Sequence, residues 1–258
     1  MLESTRNQMS EMKLYGMLES LDLRMSEALS QNWGSGDFIS ALVTDEKSYR
    51  SAAQIARRLK AASFRTQASF ETLDHTAKRT LTKALVRDLM QLQFIHGSTQ
   101  NVLITGPTGV GKTFLATAIG NHACRRGHSA AFMGVSVFIE KMTMARTDGT
   151  YLRLRERLIK TDLLIIDDIG LKKLPALIVQ DLHDLLEERQ EKCTLITSQL
   201  PLKNWGEIIE DELALDTVVD KLQNGTLHLL IDGESYRKQK NLKAKLDGDR
   251  VPVEIAIN

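Results

Sequence analysis

The sequence predicts an α/β fold: a five-stranded parallel sheet flanked by helices, preceded by a small all-helical N-terminal domain. Three observations carry this. Five short apolar runs, at 101–105, 130–134, 163–167, 194–198 and 227–231, are separated by helix-length stretches, the pattern of a parallel sheet covered on both faces. Residues 1 to about 75 show helical spacing and no strand alternation. A glycine-rich loop, Gly106-Pro107-Thr108-Gly109-Val110-Gly111-Lys112-Thr113, falls between the first strand and the helix that follows it.

Taken in order, Leu14, Met17, Leu18, Leu21, Met25 and Leu29 recur at spacings of three and four, which predicts an amphipathic helix capped by Ser10 with that stripe in the core. Gly34, Ser35 and Gly36 mark a loop from Asn32 to Asp37, and a second helical pattern runs from about Phe38, with room for an interruption, to Phe64. A helix over Thr80 to Gln93 then leads into the first strand. Helices are expected to about Arg126, over Phe138 to Arg146 and Tyr151 to Lys160, from Pro175, and as two short pieces across 204–223. Pro175 suits a first helical turn, where no N–H is needed. The expected organisation is a helical domain over 1–75, an α/β domain over 76–240 and a C-terminal tail over 241–258.

Composition excludes more than it nominates. A net charge of +1 over 258 residues points to no partner by global field, so any nucleic-acid signal has to be local. The two cysteines, Cys124 and Cys193, form no CxxC pair, which excludes a disulfide framework and a cysteine-based zinc site. No apolar run approaches the ~18 residues of a membrane span, and a soluble cytoplasmic protein is expected.

The glycine-rich loop carries the chemistry. Backbone N–H groups can surround a triphosphate only where side chains do not obstruct, as Gly106, Gly109 and Gly111 permit. Lys112 would reach the β- and γ-phosphates, the Thr113 hydroxyl would ligate Mg²⁺, and the helix N-terminus would face the phosphates. The apolar strand Leu163 to Ile166 ends in Asp167 and Asp168, delivered to the same sheet edge. Asp167 would hold Mg²⁺ directly or through water. Asp168 would orient or deprotonate the attacking water, unless it only caps the following turn. Ser198 or Gln199, ending the next strand, would sense the γ-phosphate. No Asn-Lys-x-Asp guanine-reading motif occurs, which favours ATP.

A second signal lies in residues 47–65, which contain Lys47, Arg50, Arg57, Arg58, Lys60 and Arg65 and no acid. On a helical period five of these six fall within about 100° of arc, with Ala52, Ile55, Ala56, Leu59 and Ala62 opposite. That predicts an apolar docking face and a cationic outer face able to track the backbone of duplex DNA.

The sequence resembles the AAA+ ATPases of the IstB/DnaC group, and more narrowly the IstB-type helper ATPases of insertion-sequence transposition. The resemblance rests on Met12 to Met17, Arg57 to Phe64, Gly106 to Thr113, Leu163 to Gly170, Thr197 to Pro201, Trp205 to Glu207 and Gly233 to Arg237, and covers the chain to about Lys240. It implies an ATP-dependent DNA-binding homo-oligomer with ATP at subunit interfaces that engages target DNA and recruits or stimulates a transposase encoded alongside. It also implies a sensor arginine, mapping to Arg237, and a finger cation offered to a neighbour's ATP. Lys221 stands at the finger position where relatives carry Arg, and lacks the planar fork of a guanidinium; Arg153 and Arg155 are the alternatives. Asp168 likewise stands where many AAA+ proteins have Glu. A DnaC-like helicase loader is the nearest rival function, and a small-molecule P-loop kinase the rival of another class.

Overall fold

The structure, a computed structural model, describes residues 2–73, 80–96, 101–233 and Ser235. Arg237 and the tail expected at 241–258 lie outside the described residues. The chain divides into two compact units, Met1–Arg58 and Leu59–Asn258.

The first unit is helical. Where one helix capped by Ser10 was expected, two occur: α1 (Leu2–Glu11) and α2 (Tyr15–Ser30). Lys13 adopts a left-handed conformation (φ 59°). The Lys13 N–H then bonds to the Ser10 carbonyl at 3.0 Å and the Leu14 N–H to the Met9 carbonyl at 2.8 Å, a Schellman stop that places Ser10 at the end of α1. The cap of α2 comes from elsewhere in sequence. Buried Glu46 accepts the Gly16 and Met17 N–H groups at 2.7 and 3.1 Å, satisfying orphan donors that Leu14 cannot reach. Gly16 is needed for this approach, because a Cβ there would sit 2.6 Å from Tyr49 Cβ and 2.7 Å from Glu46 Cα. Of the expected core stripe, Leu21 is buried but Leu29 is 81% exposed. Eight residues turn it about 80° around the helix from Leu21, off the covered side.

Glu46 and Asp45 belong to α3 (Ser35–Ala62), a continuous helix that crosses the division between the units. The expected docking face is only partly covered: Ala52 and Ala56 are exposed, whereas Leu59 and Ala62 join the core of the second unit. Arg65 lies beyond the helix, which stops at Ser63 in a left-handed conformation (φ 57°). The cationic stripe is therefore shorter than its periodicity suggests.

The second unit holds the sheet. The helix expected over Thr80 to Gln93 is broken into α4 (Lys83–Met90) and α5 (Gln93–His96) by Leu92 at φ 54°. Next come β1 (Asn101–Thr105), α6 (Lys112–Arg125), β2 (Ala130–Gly134), α7 (Val135–Thr147), α8 (Tyr151–Lys160) and β3 (Leu163–Ile169). The remaining elements are α9 (Ala176–Glu188), β4 (Cys193–Ser198), a 3-10 helix (Leu202–Glu207), α10 (Glu212–Gln223) and β5 (Thr226–Leu230). All strand pairs are parallel, in the order β2-β3-β4-β1-β5. Alternation along the strands feeds two cores. Val102, Ile104, Ile165 and Leu195 pack with α4, α5 and α6, while Leu103, Leu164, Ile166 and Ile196 pack with α7 to α10. Behind β4, buried Arg189 donates to the carbonyls of Thr161 (2.8 Å) and Cys193 (2.6 Å), tying the end of α8 to the sheet.

The first unit is also pH-sensitive. Arg24 forks on to Asp45, Nε to Oδ2 at 2.7 Å and NH2 to Oδ1 at 2.8 Å, and this pairing, helped by Ser20, holds the Asp45 carboxyl at about 2 instead of 3.8. A folded value below the unfolded one means that the pair stabilises fully above pH ~4 and is lost as pH falls towards ~2. Asp45→Asn should therefore lower the denaturation midpoint followed by helical circular dichroism at pH 7, with the gap to wild type closing below pH ~3.

Candidate functional site

Four segments meet at the carboxyl edge of the sheet: the loop after β1, the start of α6, the end of β3 and the end of β4. The loop needs glycine where the chain leaving β5 crosses it. Gly106 has φ 148°, and a Cβ there would run into the Ile231 carbonyl oxygen. Val110 is fully buried and anchors the loop in the core, while Pro107 and Thr108 face outward. Lys112, 5% exposed, donates to the carbonyls of Gly106 at 2.7 Å and Pro107 at 2.9 Å, so its ammonium stands inside the curve of the loop.

Opposite the loop stands Asp167, 1% exposed. Its Oδ2 accepts the Thr113 hydroxyl at 3.0 Å and its Oδ1 the Thr197 hydroxyl at 2.6 Å, so one carboxylate joins α6, β3 and β4. Burial is the largest influence on this group and lifts its pKa above the ordinary range, with the Asp168 charge adding to the lift. The hydrogen bonds from Thr197 and Thr113 and the charge of Arg65 pull the other way. A hydroxyl and a carboxylate in direct contact beside a phosphate-binding loop are a hard-oxygen donor set of the kind Mg²⁺ takes together with phosphate oxygens. Thr113 and Asp167 could hold that ion.

The tandem acids share one edge because β3 is bulged. Ile166 pairs with Ile196 and Ile169 with Ser198, so Asp167 and Asp168 together oppose the single residue Thr197. Asp168 takes φ 63°, and its N–H donates to the Thr197 hydroxyl at 2.8 Å. Among the described residues nothing donates to the Asp168 carboxylate, which sits half-buried beside Asp167 and can accept a proton from water. Thr197, which sequence reading passed over, thus donates to one acid and sets the backbone of the next. A hydroxyl inside a buried strand, paired with an acidic doublet in the neighbouring strand, was the available signal.

The two expected γ-phosphate sensors separate. Gln199 reaches the loop, its Oε1 accepting the Thr108 hydroxyl at 2.7 Å. Ser198 is fully buried and turns away: its hydroxyl donates to the Leu200 carbonyl at 2.8 Å and accepts the Leu200 N–H at 3.1 Å, closing a local turn. Lys221, on α10, is ion-paired with Glu187, and Arg155 with Glu188 at 2.6 Å, whereas Arg153 has no such partner among the described residues. On α3, Arg50 is held by Glu46 at 2.6 Å, while Lys47, Arg57, Arg58 and Lys60 have no ion-pair partner among the described residues.

Comparison with known proteins identifies this architecture. Residues 7–244 match the family described as IstB-like ATP binding protein. The chain belongs to that family. It is 34% identical over 241 residues to the insertion-sequence ATP-binding protein y4pL of Sinorhizobium fredii, covering 93% of this chain and 98% of that one. An insertion-sequence ATP-binding protein of Mycobacterium tuberculosis is 32% identical over 237 residues, covering 91% and 94%. Among solved structures, AMPPCP-bound DnaA from Aquifex aeolicus superposes with a TM-score of 0.55 at 18% identity over 72% of this chain and 56% of the DnaA chain. DnaI gives 0.55 at 18% identity over 64% and 92%. The IstB-like chain therefore has the AAA+ P-loop ATPase fold.

The geometry makes Thr197 critical. Thr197→Val leaves a buried carboxylate oxygen and the Asp168 amide unpaired, a loss of roughly 1–3 kcal/mol. Thermal denaturation should show that loss, with Thr197→Ser restoring the wild-type midpoint.

Proposed function

We propose that this IstB-like protein is an Mg²⁺-dependent ATPase that assembles on target duplex DNA and recruits or stimulates the transposase of its insertion sequence, with hydrolysis resetting the assembly. The observation that carries the proposal is the chain of contacts Thr113–Asp167–Thr197–Asp168 at the mouth of the phosphate-binding loop, a site equipped for hydrolysis, in a chain whose relatives are insertion-sequence proteins. Lys112 and the loop N–H groups bind the phosphates, Thr113 and Asp167 hold the metal, Asp168 orients the water, and Gln199 registers the γ-phosphate through Thr108. Arg237 is assigned as the sensor arginine by the resemblance alone.

DNA binding is assigned to the outer face of α3. Lys47, Arg57 and Arg58 retain the common arc, with Lys60 beside it, and the lack of carboxylate partners for them among the described residues leaves them able to displace counterions from phosphates. Arg50 contributes less, because its guanidinium already serves Glu46.

Hydrolysis measured together with sedimentation, with and without long duplex DNA, tests the proposal. Activity should rise with DNA as larger species form, and DNA-independent turnover by a monomer would overturn it. Arg57→Ala with Arg58→Ala should weaken DNA binding and lower the slope of log affinity against log salt by roughly 0.9 per lost phosphate contact, with nucleotide affinity kept.

Lys221 is proposed as the cation offered to the neighbouring subunit. Its pair with Glu187 is 36% and 44% exposed, the kind of surface pair that is worth little and exchanges readily. Lys221→Ala should abolish cooperative hydrolysis in kinetic assays; retained cooperativity would move the role to Arg153.

A further inference from the structure

Arg65 counts by sequence among the DNA-binding cations, yet the structure places it over the end of β2, one strand from Asp167. α3 ends at Ala62, Ser63 reverses the chain, and Phe64 anchors in the core, packed edge-on against Phe132 at 6.1 Å. The next side chain, Arg65, lies flat over Gly134, the last residue of β2. A Cβ on Gly134 would come within 2.6 Å of NH2 and 2.9 Å of Cζ, so only glycine leaves this shelf open. In the sheet register Gly134 stands directly opposite Asp167. Among the described residues the guanidinium makes no hydrogen bond or ion pair, so its donors are unspent. Its charge is nonetheless felt at Asp167, where it opposes the lift caused by burial and by Asp168.

We propose that Arg65 is a positioning residue of the ATPase site: seated on Gly134, it sets the placement of Asp167 and Asp168 and links the end of α3 to hydrolysis. The path is short. Leu59 and Ala62 fix the last turn of α3 in the core, Phe64 fixes the chain after the reversal, and Arg65 lies over Gly134, the residue paired with Asp167. Two adjacent carboxylates repel each other, and a cation one strand away whose charge acts on Asp167 offsets part of that repulsion. Arg65 follows the last turn of α3 closely in sequence, so a shift of that turn acts on the acids without touching the nucleotide. The inference rests on the proposed DNA-stimulated hydrolysis and gives that stimulation a route.

The test is a double-mutant cycle between Arg65→Ala and Gly134→Ala, read as kcat and KM for ATP at saturating duplex DNA. A methyl at Gly134 meets only the far end of a flexible side chain, so this variant should fold while pushing the guanidinium off its shelf. Each single variant should lose about tenfold in kcat, with KM within about twofold. The double variant should be no worse than either alone, and Arg65→Lys should recover part of the loss. DNA affinity and its salt slope should stay at the wild-type value in Arg65→Ala.

Additive losses, or wild-type turnover in Arg65→Ala, would overturn the inference alone. So would a reduced salt slope with intact turnover, which would make Arg65 a phosphate contact. Wild-type protein without DNA-stimulated hydrolysis would overturn the proposed function and the inference together.

Discussion

The buried carboxylate of Asp167 is the constraint around which the second unit is arranged. An ionised acid withdrawn from water must be compensated by donors or by a cation. Here the donors are two threonine hydroxyls on different elements, Thr113 at the start of α6 and Thr197 in β4. Those two contacts fix the start of α6 and β4 against the acidic strand. They are made within the strand order β2-β3-β4-β1-β5, which sets β4 between the acidic strand and β1. Disturbing any of the three segments therefore disturbs the others.

Much of this was legible in the sequence because the signals are local. Each of the five apolar runs became a strand, and the helices between them follow from spacing and from the length a parallel crossover needs. The loop from Gly106 to Thr113 and the doublet Asp167-Asp168 are contiguous motifs, so reading them required no tertiary knowledge. What was missed is non-local. The Schellman stop at Lys13 and the capping of α2 by Glu46, thirty residues away, leave no periodic trace. Neither does the turn at Ser63 that takes Arg65 off its helix.

The same distinction governs the charges. Periodicity grouped Lys47, Arg50, Arg57, Arg58 and Arg65 on one arc as equals, but whether a cation is available depends on its partners. Glu46 holds Arg50, and Glu187 and Glu188 hold Lys221 and Arg155. Those acids lie four residues from Arg50 but more than thirty from Lys221 and Arg155. A net charge of +1 conceals a helix face whose groups without an ion-pair partner among the described residues are all of one sign.

The bulge in β3 has an evolutionary consequence. Asp168 occupies left-handed backbone, a conformation that Asp and Asn tolerate because a short polar side chain adds little crowding, and that longer side chains resist. Asp at this position, in place of a longer acid, then suits the main chain rather than marking a loss of reach. A chain that carries the bulge admits Asp, Asn or Gly at this position at low conformational cost, and accommodates Glu there only by flattening the strand. Backbone shape, ahead of catalysis, sets which acids this family member can explore.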